Sequence, residues 1–334
     1  MICAVRLLIV AALVLVTACS HSQPAAPTPT PPTPPPAPPA NIVLTGHVAG
    51  TVTGEPLPGE SVDLSTRQTS TDAAGTFRYE LPPGALGATP LLTVSGPNIL
   101  TRQSLINFTA SREILTDAIV LGGRFDLAFY RELVRDDHDS PGVMRLIRRW
   151  ETAPKIYLKT VDEAGIAIQA GTLDTVEAAI RDSVSAWTGG KIGLGGLERG
   201  TETREGQTGW VTVKWPAQAD PNVCGRAQVA VNGGWIELDY KNDLCTAPCS
   251  SNSRIAPRVV RHEVGHMLGF WHTGNADDLM YYSSWTDDQC NQSPTPRELY
   301  HASIAYSRPT GNADPDTDPV TTFLKADPPR VVVN

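Results

Sequence analysis

Ten of the sixteen residues from Pro24 to Pro39 are proline, with alanine and threonine filling the rest. Proline has a fixed φ and no backbone N–H, so this stretch can form neither helix, sheet nor core. It predicts an extended polyproline II rod of about 3.1 Å per residue, roughly 50 Å in all. In a chain of 334 residues, nearly all the capacity to fold therefore lies behind it. A formal net charge of −8 gives no basic footprint, so nucleic acid is not an expected partner.

Ahead of the rod, Ile2 to Val16 is apolar except for Arg6. A membrane-spanning helix needs about 20 apolar residues. The shorter run reads as the hydrophobic region of a secretory signal. It ends Val16-Thr17-Ala18-Cys19, which resembles the lipobox of bacterial lipoproteins. The resemblance implies cleavage before Cys19, acylation of Cys19 and an exported chain anchored to the cell envelope, at the outer membrane or cell surface. More than one acyl chain is needed for stable anchoring, and this processing supplies it. The rod is then a stalk.

Residues 41–122 carry short strand-like runs: Ile42–Leu44, Ser61–Leu64, Thr76–Tyr79 and Leu91–Val94. Gly54-Glu55-Pro56, Pro58-Gly59, Pro82-Pro83-Gly84 and Gly96-Pro97 separate them. Short, evenly spaced strands with such punctuation predict a β-sandwich. Gly54 to Val62, followed by Thr71-Asp72-Ala73-Ala74-Gly75-Thr76-Phe77, resembles the carboxypeptidase regulatory-like (prealbumin-like) domain. No constellation for chemistry stands out here, and a spacer or binding module is expected.

All seven tryptophans fall between Trp150 and Trp285, which argues for a second, larger core over 123–310. Lys155–Val161 alternates like a strand. Leu173, Val176, Ile180, Val184 and Trp187 mark one helix face, with Asp174 and Glu177 placed as a capping box and Gly189-Gly190 as the stop. Trp210–Val213 reads as a strand. Asn232-Gly233-Gly234 predicts a hairpin between Ala227–Val231 and Trp235–Tyr240. Helices are expected from Pro257 to Leu268 and from Pro296, the latter carrying Leu299, Ala302 and Tyr306. The expected fold is thus two domains: an all-β sandwich, then an α+β domain with a mixed sheet and a metal-binding helix. Residues 311–334 read as a solvated Pro/Asp-rich tail. Its alternating Asp314, Asp316 and Asp318 give no support for a structural Ca²⁺.

The chemistry centres on His262-Glu263-Val264-Gly265-His266-Met267-Leu268-Gly269-Phe270-Trp271-His272. His262 and His266 lie one turn apart on one helix face, the reach that two imidazoles need to share a tetrahedral Zn²⁺. Glu263 projects about 100° away. It can flank the metal without ligating it and take a proton from metal-bound water. On a continuing helix His272 would point about 240° from His266. Gly269 can adopt positive φ, end the helix and bring His272 back as a third ligand, leaving a fourth position open.

This His-Glu-x-x-His-x-x-Gly-x-x-His spacing resembles the metzincin zinc peptidases. Leu279-Met280-Tyr281-Tyr282 falls where that family has its Met-turn, and the run looks most like the matrixin branch. The resemblance covers about Lys155 to Tyr306. It implies an endopeptidase acting on polypeptides, with Met280 under the metal and an edge strand near Gln228–Val231 pairing with substrate backbone. It also makes Tyr282 a candidate metal ligand or oxyanion donor, as against packing on Trp285 or the last helix. The alternative function is an inert surface binding lipoprotein that works through its sandwich. His47, His138 and His301 read as ordinary core or surface residues. Setting aside Cys3 in the signal and Cys19, an even four cysteines remain. They predict two disulfides in an exported domain. The hairpin brings Cys224 near Cys245, leaving Cys249 for Cys290.

Overall fold

The computed structural model describes residues 40–245, 252–283, 286 and 289–319, together with the backbone of Val331–Val333. The signal-like segment, Cys19 and the proline rod lie outside the described residues, as do Cys249 and Trp285. Ala40–Asn334 forms one compact unit. Among its described residues lie two large hydrophobic cores and one small cluster, Val229 with Trp271.

The first core lies between two antiparallel-rich sheets. Its strands are β1 (Ile42–Gly50), β2 (Ser61–Leu64), β3 (Arg67–Ser70), β4 (Thr76–Leu81), β5 (Leu91–Ser95), β6 (Arg102–Leu105) and β7 (Arg112–Ala118). They form sheets ordered β4-β1-β7 and β3-β2-β5-β6. Strict alternation buries Leu44 and Val48 of β1 and Phe77, Tyr79 and Leu81 of β4 against Val62, Leu64, Leu92 and Val94 of the facing sheet. The Asp72–Gly75 turn closes as expected. Asp72 Oδ1 accepts hydrogen bonds from the N–H groups of Ala74 (2.9 Å) and Thr76 (2.8 Å). Gly75 sits at φ 73°, where a Cβ would lie 2.6 Å from the Val48 carbonyl oxygen. Strands β3, β6 and β7 have no clear apolar alternation in sequence.

The second core carries α1 (Leu127–Arg135), β8 (Lys155–Lys159), α2 (Ala170–Trp187), β9 (Gly196–Gly200), β10 (Trp210–Lys214), β11 (Gly225–Gln228), β12 (Trp235–Leu238), α3 (Pro257–Leu268), α4 (Pro296–Ala305) and β13 (Val331–Val333). Its sheet runs β13-β11-β12-β10-β8-β9. Strands β9, β8, β10 and β12 are parallel, and β11 is antiparallel to both neighbours. The centres of β8 and β10 are buried on both faces, as parallel strands under covering layers must be.

Several expectations need correction. Helix α1, capped by Asp126, is additional to the expected elements. Helix α2 begins four residues before Asp174, behind Gln169, and has no side-chain cap. Asp174 and Glu177 are therefore not a capping box. Arg199 of β9 binds both, at 2.8 and 2.7 Å. The hairpin forms with Ala227 opposite Ile236, but β11 ends at Gln228. The edge expected over Gln228–Val231 lies instead at Gly225–Gln228, and β13 already pairs with it. Cys224 and Cys245 form the expected disulfide, and Cys290 is also disulfide-bonded.

The tail is not solvated over Asp314–Asp318. Asp316 is fully buried, taking a bidentate pair from buried Arg308 (2.6 and 2.8 Å) and a further bond from Arg102 of β6 (3.1 Å). Asp314 holds Arg131 of α1 bidentately, and Asp318 meets Arg102. Arg308 also reaches Asp117 of β7 at 2.6 Å. A buried charge requires a paired partner, and this network ties β6 and β7 of the sandwich to α1 and to the segment after α4.

Candidate metal centre

Helix α3 starts with Pro257 at its first turn, where the missing N–H costs nothing. It ends at Gly269, whose φ of 114° closes the helix through bonds to the carbonyls of Gly265 and His266. Val260, Val264, Met267 and Leu268 join the core, so the helix is fixed on nearly all sides. The chain then turns back, and the Trp271 N–H donates to the Leu133 carbonyl of α1 at 2.8 Å.

That reversal brings His272 to the other two imidazoles. His266 Nε2 lies 3.1 Å from His262 Nε2 and 3.2 Å from His272 Nε2. The three residues are buried and form a group able to hold a metal ion. Each outer nitrogen has an acceptor. His262 Nδ1 meets the Leu279 carbonyl at 2.7 Å, and His266 Nδ1 the Phe270 carbonyl at 2.8 Å. His272 Nδ1 meets Asp139 Oδ2 at 2.8 Å.

These acceptors require Nδ1–H donors, so in the neutral rings all three Nε2 lone pairs face one another. Lone pairs cannot bond each other, and a cation between them resolves the conflict. Tetrahedral Zn–N bonds of about 2.0–2.1 Å would hold ligand nitrogens about 3.3 Å apart, close to the observed spacing. Burial, reinforced by the two neighbouring imidazoles, holds His266 well below the usual histidine range. That shift favours the neutral ring, the form in which an imidazole can bind a metal. The donor set fits zinc.

Glu263, next to His262 on α3, is buried and points at β11. A Cβ on Gly225 would lie 2.5 Å from Glu263 Oε1, so the glycine leaves the space that the carboxylate fills. Beneath α3, Met280 is fully buried against Gly265 and Trp187. Glu298 of α4 fixes the Met280 turn by accepting from the N–H groups of Leu279 (3.1 Å) and Met280 (2.8 Å). The same carboxylate completes a capping box with Thr295.

Tyr282 is about half exposed and meets His138 and Tyr281 in tilted ring contacts, each with centroids 4.9 Å apart. His301 is an ordinary core residue, bonded to the Arg297 carbonyl and the Asp126 N–H. His47 is half-buried beside Glu113. Asp139 and the second role of Glu298 were missed. Asp139 sits in the polar run Asp136-Asp137-His138-Asp139, which has no periodicity to betray it. Thr295-Pro-Arg-Glu298 is readable as a capping box, though not its reach to Met280. Partial burial opposes the Asp139 charge, but the hydrogen bond from His272 and nearby imidazoles hold its carboxyl below the usual range.

No protein-family model matches the chain, and no curated protein matches it. Among solved structures it is similar to metalloproteinase-II from Bacteroides fragilis, at 9% identity over 78% of this chain and 84% of that one, with a TM-score of 0.32. It is also similar to a type II cohesin–X–dockerin complex from Acetivibrio cellulolyticus, at 22% identity and TM-score 0.20. That match spans 24% of this chain and 58% of the other. Likenesses this slight decide nothing about chemistry. The chain itself defines a mixed α/β, mostly β protein with a buried histidine triad suited to a metal ion.

Proposed function

We propose that this protein is a metzincin-like zinc endopeptidase, exported and held at the cell envelope through Cys19. The observation that carries the enzymatic reading is the convergence of three Nε2 atoms at a helix that also carries the buried Glu263 one residue after His262. The envelope location rests on the sequence of residues 2–19 alone.

His262, His266 and His272 would hold the zinc, with Met280 packed under their helix. Bound there, zinc supplies Lewis-acid polarisation of a peptide carbonyl and of the attacking water. Glu263 takes the proton from that water and returns it to the leaving amine. Burial strengthens the electrostatics of the Glu263 carboxylate, and its seat against Gly225 fixes its direction. With β13 displaced, the β11 edge would be suited to binding an extended polypeptide by main-chain hydrogen bonds.

The test uses the full chain and a broad peptide library. Cleavage should stop on chelation and return with zinc. Glu263→Gln should retain zinc and lose about 10²–10⁴ in rate, the usual contribution of a general base. His266→Ala should lose both. A zinc-replete wild-type chain that cleaves nothing would favour the inert binding lipoprotein instead.

A further inference from the structure

The geometry points to Asp139 as a positioning residue that sets the tautomer and orientation of His272 and so raises the affinity of the triad for zinc. This rests on the metal reading of the same site. Asp139 comes from the turn after α1, far from the metal-binding motif in sequence. Its Oδ2 lies 2.8 Å from His272 Nδ1.

The turn is built to hold that carboxylate in place. Asp136 ends α1 at φ 63° and pairs with Arg145. The Ser140 N–H donates to the Asp136 carbonyl at 2.9 Å, and the Gly142 N–H to Asp137 Oδ1 at 2.8 Å. The loop bearing His272 is tied to the same helix on both sides. The Trp271 N–H donates to the Leu133 carbonyl (2.8 Å), and the Gly274 N–H to Glu132 Oε2 (3.1 Å). With the flanking backbone clamped, Asp139 decides how the His272 ring sits.

His272 also differs from its two partners. Its Nδ1 faces a carboxylate, whereas those of His262 and His266 face neutral backbone carbonyls. A carboxylate oxygen can only accept here, so the proton stays on Nδ1 and the Nε2 lone pair turns inward. An anionic acceptor also makes the imidazole a stronger donor to a metal. Loss of such an outer partner typically weakens metal binding 10- to 100-fold.

The experiment titrates zinc into the metal-free full chain against a competing chelator. Asp139→Ala should raise the zinc Kd about 10- to 100-fold. Asp139→Asn keeps the size and one acceptor oxygen but not the charge, and should lose affinity to a smaller, measurable degree. Asp137→Ala loosens the same turn without removing the carboxylate that meets His272, and should lose clearly less zinc affinity than Asp139→Ala. Equal zinc affinity in wild type, Asp139→Ala and Asp139→Asn would overturn the inference, as would an equal loss in Asp137→Ala. A wild-type chain that binds zinc but cleaves no peptide would defeat the peptidase reading and leave this one standing. A wild-type chain without zinc affinity would overturn both.

Discussion

Gly265 and Met280 are in direct contact: a Cβ on Gly265 would lie 2.5 Å from the Met280 sulfur and 3.2 Å from Trp187. The helix that carries His262 and His266 is thereby seated on the Met280 turn with no room between them. That turn in turn fixes His262, because the Leu279 carbonyl accepts from its Nδ1.

Gly265→Ala should therefore destabilise the fold. A helical Gly→Ala change alone gains about 1 kcal/mol, but overpacking a filled core costs about 1–3 kcal/mol. The expected balance is a loss of up to about 2 kcal/mol, read as a lowered Tm. A Tm at or above that of wild type would show that Met280 can move aside freely.

Glu298 gives a pH dependence. Burial, and then the neighbouring Asp278, push its carboxyl up from 4.5 to about 7, although several N–H donors favour the ionised form. The folded state thus binds this proton more tightly than the unfolded chain does. Its contribution to stability is complete below pH 4.5 and is lost as pH rises through about 7. The full effect is about 3 kcal/mol. Denaturant unfolding of wild type and Glu298→Gln, compared between pH 5 and pH 8, isolates it from other titrations. The difference should move toward the Gln variant by about that amount. A constant difference would mean that Glu298 is ionised throughout.

Much of this site is legible in sequence because its signals are local. Pro257, Gly269 and the four-residue histidine spacing all speak about one helix, and the hairpin glycines about one turn. What escaped depends on distant partners. Helix α1 has an Asp126 N-cap and buried Phe129, Tyr130, Leu133 and Val134, a short pattern easily passed over. Asp174 and Glu177 had the spacing of a cap, but the helix start was set upstream and Arg199 claimed both. Asp316 looked solvated only because Arg102 and Arg308 are invisible to a local reading of the tail.

The Cys224–Cys245 disulfide makes a separate prediction. It closes a loop with a sequence separation of 21 at the foot of the hairpin that includes β11. A loop of that size is worth about 3 kcal/mol in the chain-entropy model. The paired Cys224→Ser and Cys245→Ser variant should lose about that much in denaturant unfolding under oxidising conditions. Unchanged stability would indicate that the loop is already constrained in the unfolded chain.

The last prediction concerns β13. Val331, Val332 and Val333 pair antiparallel with Gln228, Ala227 and Arg226, along the edge that an extended substrate would use under the peptidase reading. Gly225, at the start of that edge, touches Glu263. A strand tethered to its own enzyme competes at an effective concentration on the order of millimolar. A chain ending at residue 319 should therefore show a several-fold lower KM for peptide substrates with kcat held. A synthetic peptide spanning 326–334, added to that truncated chain, should inhibit competitively. If truncation leaves KM unchanged, or lowers kcat instead, the terminal strand is a structural edge cover and substrate binds elsewhere.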